Sequence, residues 1–173
     1  MSALQHQGLK GITIPGRILR FLEHANLAFA GTRNDELVPY GHRVSGWLVD
    51  AGGGMLTALV ARSFTANLVE SLQDNGEFAL TVEEFPSHET YQFKGRYVRH
   101  RAVLEEDLEA ADRIRKRFSK SVGRVFTDAP ETLLNRFVQA PVMAVEFEVY
   151  EIYLQTPGPG AGSRLVPPAE QST

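Results

Sequence analysis

The chain has 173 residues, 43% hydrophobic and 23% charged, with a formal net charge of −3 and no cysteine. Length and balance describe one soluble domain able to bury a real core. Disulfides, thiolate metal sites and cysteine nucleophiles are excluded, and the charge argues against a nucleic-acid surface.

The N-terminal MSALQHQGLKG lacks the basic start and apolar run of a signal peptide, and no apolar stretch approaches the roughly 20 residues of a membrane span. The expected compartment is the cytoplasm, without a membrane partner. Residues 1–13 read as an N-terminal extension, 14–155 as the folded domain and 156–173 as a Pro/Gly-rich tail.

Pro15 suits a helical first turn, and Ile18, Leu19, Leu22 and Ala25 then share one face up to Asn26. Leu27–Thr32 reads as a strand, residues 33–36 as a turn and Leu37–Asp50 as an extended segment. Residues 51–54, AGGG, form a hairpin connection into Met55–Ala61, an apolar run suited to burial on both sides. Ser63 is placed as an N-cap, with Ala66, Val69 and Leu72 at helical spacing behind it. Asn75 and Gly76 end that helix, with Gly76 where positive φ is needed. Glu77–Val82 resumes as a strand.

After a polar loop containing Pro86, Thr90–Val103 alternates with period two through Tyr91, Phe93, Gly95 and Tyr97. Glu105–Ser121 is a helix with Leu108, Ala111, Ile114, Phe118 and Val122 on one stripe. Its acidic first turn and basic end follow the helix dipole. Asp128 and Glu131 suggest a capping box for a second helix, Pro130–Val138. Val142–Leu154 is a final long strand, and the Pro/Gly-rich tail from Thr156 is expected to lack regular structure. Short connections between about six strands imply an antiparallel barrel with flanking helices, mainly β.

Several chemistries find no support. His24, His42, His88 and His100 lack metal spacing, and no serine sits in a G-x-S-x-G elbow. Arg113, Arg115, Lys116, Arg117 and Lys120 read as the solvated face of an amphipathic helix. The informative stretch is the turn at residues 62–67. Arg62, Ser63 and Thr65 surround the first turn of a helix, where free N–H groups and the dipole favour an anion such as phosphate. An ordinary N-cap beside a solvated Arg62 suits the same residues.

The run ARSFTANL…NGEFALTV, followed by YQFKGRYV, resembles the pyridoxamine 5'-phosphate oxidase-like, FMN-binding split barrels over roughly residues 14–155. The resemblance implies a six-stranded antiparallel split β-barrel that binds FMN at the interface of a homodimer. It implies an FMN-dependent oxidoreductase acting on a small molecule or NAD(P)H. A deazaflavin or haem on the same barrel, or a non-enzymatic flavin-binding module, are the alternatives. Arg62, Ser63 and Thr65 would hold the phosphate, with Asn67 orienting the turn. His42, Arg43, Val44 and Ser45 would run beside the ribityl chain or ring, and Gln92 and Lys94 would approach the flavin or the partner subunit. Oxidases of pyridoxamine phosphate proper carry an arginine-lysine pair where this chain has Ser63 and Phe64, so its R-S-x-T-x-N turn is closer to the flavin reductases. No catalytic acid or base is singled out.

Overall fold

The computed structural model describes residues 11–61, 65–126 and 139–166, apart from the side chain of Ala66. Arg62, Ser63 and the expected helix over 130–138 lie outside the described residues, as do the first ten residues and the last seven.

The elements run α1 (Gly16–His24), β1 (Leu27–Arg33), β2 (Pro39–Val49), β3 (Met55–Ala61), α2 (Thr65–Asn75), β4 (Glu77–Glu84), β5 (Glu89–Ala102), α3 (Glu105–Val125), β6 (Pro141–Leu154) and β7 (Arg164–Val166). All neighbouring strands are antiparallel, in the order β3-β2-β1-β4-β5-β6-β7. Pairing of β3 with β6 closes six of them into a barrel and leaves β7 outside. The expected six-stranded split barrel is present.

Local chemistry explains the bounds. Asp50 accepts backbone N–H groups from Gly52, Gly54 and Met55, tying the β2–β3 hairpin. Gly76 ends α2 at φ 72°, where a side chain would be strained. Asn75 holds the exit from both sides, donating to the Arg33 carbonyl and accepting the Glu77 N–H. The barrel interior is filled by Leu56, Val60, Phe78, Leu80, Phe93, Phe147 and Ile152, with Ile18 and Leu22 of α1 closing one end. Ile12 joins this core, and its N–H bonds to the Val149 carbonyl. Gly95 sits at a register shift between β5 and β6, where a Cβ would come 2.4 Å from Phe147 Cδ2 and 2.5 Å from the Glu148 carbonyl oxygen. Close backbone approach and a bulge coincide at this glycine.

Three expectations need correction. Leu108 is 46% exposed, and α3 instead turns Asp107, Ala110 and Ala111 inward with Ile114, Phe118 and Val122. The reason is the close approach of α3 to β2: a Cβ on Gly46 would lie 3.0 Å from the Ala111 Cα, so the helix turn that meets Gly46 is built from alanines. Among the described side chains of α2 the buried ones are Leu68, Ser71 and Leu72, while Val69 is half-buried. The tail forms β7, because glycines at positive φ (Gly158, Gly160, Gly162) reverse the chain and bring it back onto β6. No described helix is long and apolar enough to cross a membrane.

Candidate functional site

The candidate site residues fall into three groups. Thr65, half-buried, opens α2, and Asn67 stands exposed in its first turn. Ser71 Oγ donates to the Asn67 carbonyl at 2.7 Å, a bond within the helix.

On β2 the residues divide by face. His42 and Val44 turn into the barrel, where a His42 ring nitrogen lies 2.8 Å from the Thr32 hydroxyl. Arg43 points to the outer face. A register shift between Val44 and Gly46 rotates Ser45, which is buried and donates its hydroxyl to the Gln139 carbonyl. Ser45 lies near α3, in a small gap it lines with Ile114 and Phe118.

On β5, Gln92 and Lys94 share the outer face. Gln92 Nε2 donates to Thr81 Oγ1 at 3.3 Å, and the Lys94 ammonium lies 4.5 Å from the Tyr153 ring centroid. Arg164 of β7 donates to the Tyr153 hydroxyl at 3.2 Å and pairs with Glu151 at 2.9 Å.

The register joins these positions. Arg43, Phe29, Thr81, Gln92, Tyr153 and Arg164 stand directly opposite one another across β2, β1, β4, β5, β6 and β7. Directly opposed residues of antiparallel strands share a face, so this is one continuous outer row. The neighbouring row is Gly41, Gly31, Ala79, Lys94 and Glu151. Three of those five side chains are a hydrogen or a methyl, so the sheet surface dips. A groove of 430 Å³ lies there, bounded by Arg33, Lys94, Glu77, Tyr150 and Glu151.

Tyr150 is the extra residue of the β6 bulge, and its hydroxyl donates to Glu77 Oε2 at 2.6 Å. Arg96 approaches the other Glu77 oxygen at 3.5 Å. Burial, then the Glu77 hydrogen bond, pushes the Tyr150 phenol above its ordinary pKa and keeps it a donor. Sequence reasoning named Gln92 and Lys94 here but missed Phe29, Glu77 and Thr81. Extending the period-two pattern across paired strands finds Phe29 and Thr81.

The structure therefore brings Gln92 and Lys94 together on one face, with Arg43 three strands away on the same row. It places His42 and Val44 on the opposite side of the sheet. Among the described residues no group of three His, Asp or Glu could hold a metal ion.

No protein-family model and no curated protein matches this sequence. Solved structures do. HupZ from Group A Streptococcus is similar at a TM-score of 0.50 and 14% identity, over 87% of this chain and 100% of that one. An FMN-binding protein from Syntrophomonas wolfei gives 0.44 at 15% identity, over 79% and 88%. HutZ, a heme storage protein from Vibrio cholerae, gives 0.43 at 11% identity, over 83% and 95%. What this likeness shows is the fold alone: the chain is an antiparallel split barrel, the fold it shares with HupZ.

Proposed function

We propose that the chain is a cytoplasmic FMN-dependent oxidoreductase, a homodimer with flavin at the subunit interface. The observation that carries this reading is the register of β2 against β3. Val44 opposes Val60, so Arg43 and Ser45 stand beside the strand end that leads through residues 62–64 into α2. α2 is an 11-residue helix, and the free amides and dipole of its first turn favour an anion. Arg62, Ser63 and Thr65 would hold the FMN phosphate there, Asn67 would orient the turn, and Arg43 would add a second cation.

His42 and Val44 support this strand from inside the barrel. Gln92 and Lys94 lie three strands from Arg43, about 14 Å at ordinary strand spacing. In a dimer they would line the flavin held by the other copy, with the dip at Gly31 and Gly41 leaving room for a flat ring. Bound flavin supplies the two-electron chemistry, and the protein supplies position, charge and exclusion of water. NAD(P)H or a small-molecule substrate would approach from the groove.

The test is to add FMN to the purified full chain, desalt it and record the visible spectrum. Retention of about one flavin per chain is expected; subsequent NADH and NADPH oxidation assays separate an enzyme from a flavin-binding module. A protein that keeps haem or a deazaflavin and rejects FMN would sink the reading. Arg62→Ala should weaken FMN binding by about 1.5–3 kcal/mol, as for a charge-assisted contact. Unchanged affinity would move the phosphate elsewhere.

A further inference from the structure

A cleft of 480 Å³ lies between α1 and α3 at the end of β2, within the roughly 300–1,000 Å³ of small-ligand sites. Leu19 and Leu22 of α1, Trp47 of β2 and Ile114 of α3 form its apolar part. The Trp47 indole is fixed by donating Nε1–H to the Leu22 carbonyl at 3.3 Å, so its ring is a firm surface. None of the residues proposed for the flavin lines this cleft.

Two arginines of α3 complete it, Arg113 and Arg117. Their situations differ. Arg113 reaches Glu109 at 3.7 Å across an exposed surface. Arg117 is half-buried, its Nε–H is buried without an acceptor, and it makes no ion pair among the described residues. The sequence explains why. Helical partners stand three or four residues away, and for Arg117 these are Arg113, Ile114, Lys120 and Ser121. By contrast Arg115 and Lys116 of the same helix share Asp112. Burial, with Arg113 adding to it, lowers the Arg117 pKa, so its charge is held at a cost that an anion would remove.

Glu23 also lines the cleft and pairs with neither arginine. With Arg113 matched by Glu109 and Glu23 paired to neither arginine, the Arg117 guanidinium is the cation of the cleft left to be matched. The apolar walls call for a hydrocarbon or aromatic body. We propose that this cleft binds an apolar monocarboxylate, a medium-chain acyl or aryl acid, with its carboxylate on Arg117 and its body against Trp47, Leu22 and Ile114.

Trp47 is the only tryptophan of the chain, so its emission reports on the cleft directly. The full chain is titrated with octanoate and, separately, with 1-octanol, which keeps the chain length and removes the charge. A saturable change in Trp47 emission is expected with octanoate, at an affinity about tenfold or more above that for octanol. Arg117→Gln should remove that advantage and leave octanol binding unchanged. Its thermal midpoint should not fall, because Arg117 has no partner to lose. The proposal is overturned if octanoate gives no saturable change, if both ligands bind alike, or if Arg117→Gln binds octanoate as well as the parent. Should that variant fold poorly, the octanoate and octanol titrations of the parent chain still decide.

Discussion

The two walls of this barrel are built from different materials. Where α3 lies on β2 and β6, contact depends on small residues: Gly46 meets Ala111, and Ala110, Ala111 and Ala144 pack with Leu59. The buried carboxylates there are paired. Asp107, wholly buried, receives Arg101 and the Leu104 N–H, while Arg99 and Arg101 both reach Glu146. The outer face of β1, β4 and β5 instead carries Phe29, nearly half exposed, beside Thr81, Gln92 and Lys94. One wall is closed by its own helix. The other keeps a large apolar ring, a cation and a small-residue dip in reach of something outside the chain.

The comparison breaks most sharply at Asp107. Asp107→Ala leaves Arg101 with one buried partner fewer and removes the cap on the first turn of α3. A loss of about 3 kcal/mol is expected in urea unfolding. A loss under about 1 kcal/mol would show that Glu146 alone satisfies Arg101.

Two glycines of β2 test the walls against each other. Gly46→Val drives a side chain into the Ala111 backbone and should cost about 2 kcal/mol. Gly41 has no atom within 4 Å of an added Cβ, so Gly41→Val should change stability by less than about 0.5 kcal/mol. It should nevertheless weaken flavin retention by filling the dip. Equal losses of stability at both positions would mean that the open wall is also packed.

Acid should unfasten the closed wall first. Burial raises the Asp107 pKa, but Arg101 and the Leu104 N–H outweigh it and leave the carboxyl below its ordinary 3.8. Arg99 first, and Arg101 after burial, hold Glu146 below 4.5. The unfolded chain therefore binds more protons than the native one in this range. The stabilisation is present in full above those ordinary values and disappears as pH falls through the lower native ones. Asp107→Asn should show a shallower fall in stability between about pH 5 and 2 than the parent. Parallel curves would refute the assignment.

Much of this was legible in the chain. Met55–Ala61 is a strand with the bounds its apolar run dictates, and Gly76 has the positive φ its place after Asn75 requires. Periodicity found α3 but not its centre: Leu108 and Ala110 both fit an apolar stripe, and only the approach to Gly46 selects the alanines. Asp107 reads as a dipole-favoured surface residue until Arg101 is seen opposite it. The tail read as irregular because Pro and Gly weaken strands, yet its glycines built the turn that returns Arg164 to Tyr153. On β2 the sequence does not separate the two faces; closing the barrel does, putting His42 inside and Arg43 outside.

The smallest effect on folding is expected at Phe29, and it is the most direct probe of the open wall. Its ring is 46% exposed, so Phe29→Ser removes little buried surface and should leave unfolding within about 0.5 kcal/mol of the parent. If two copies meet through the row from Arg43 to Arg164, the same change puts a hydroxyl at the centre of the interface. Sedimentation should then show the dimer dissociating at concentrations where the parent holds together, with flavin retention falling alongside. A variant that stays dimeric and keeps its flavin would place the partner on another face, and Phe29 would be an ordinary exposed ring.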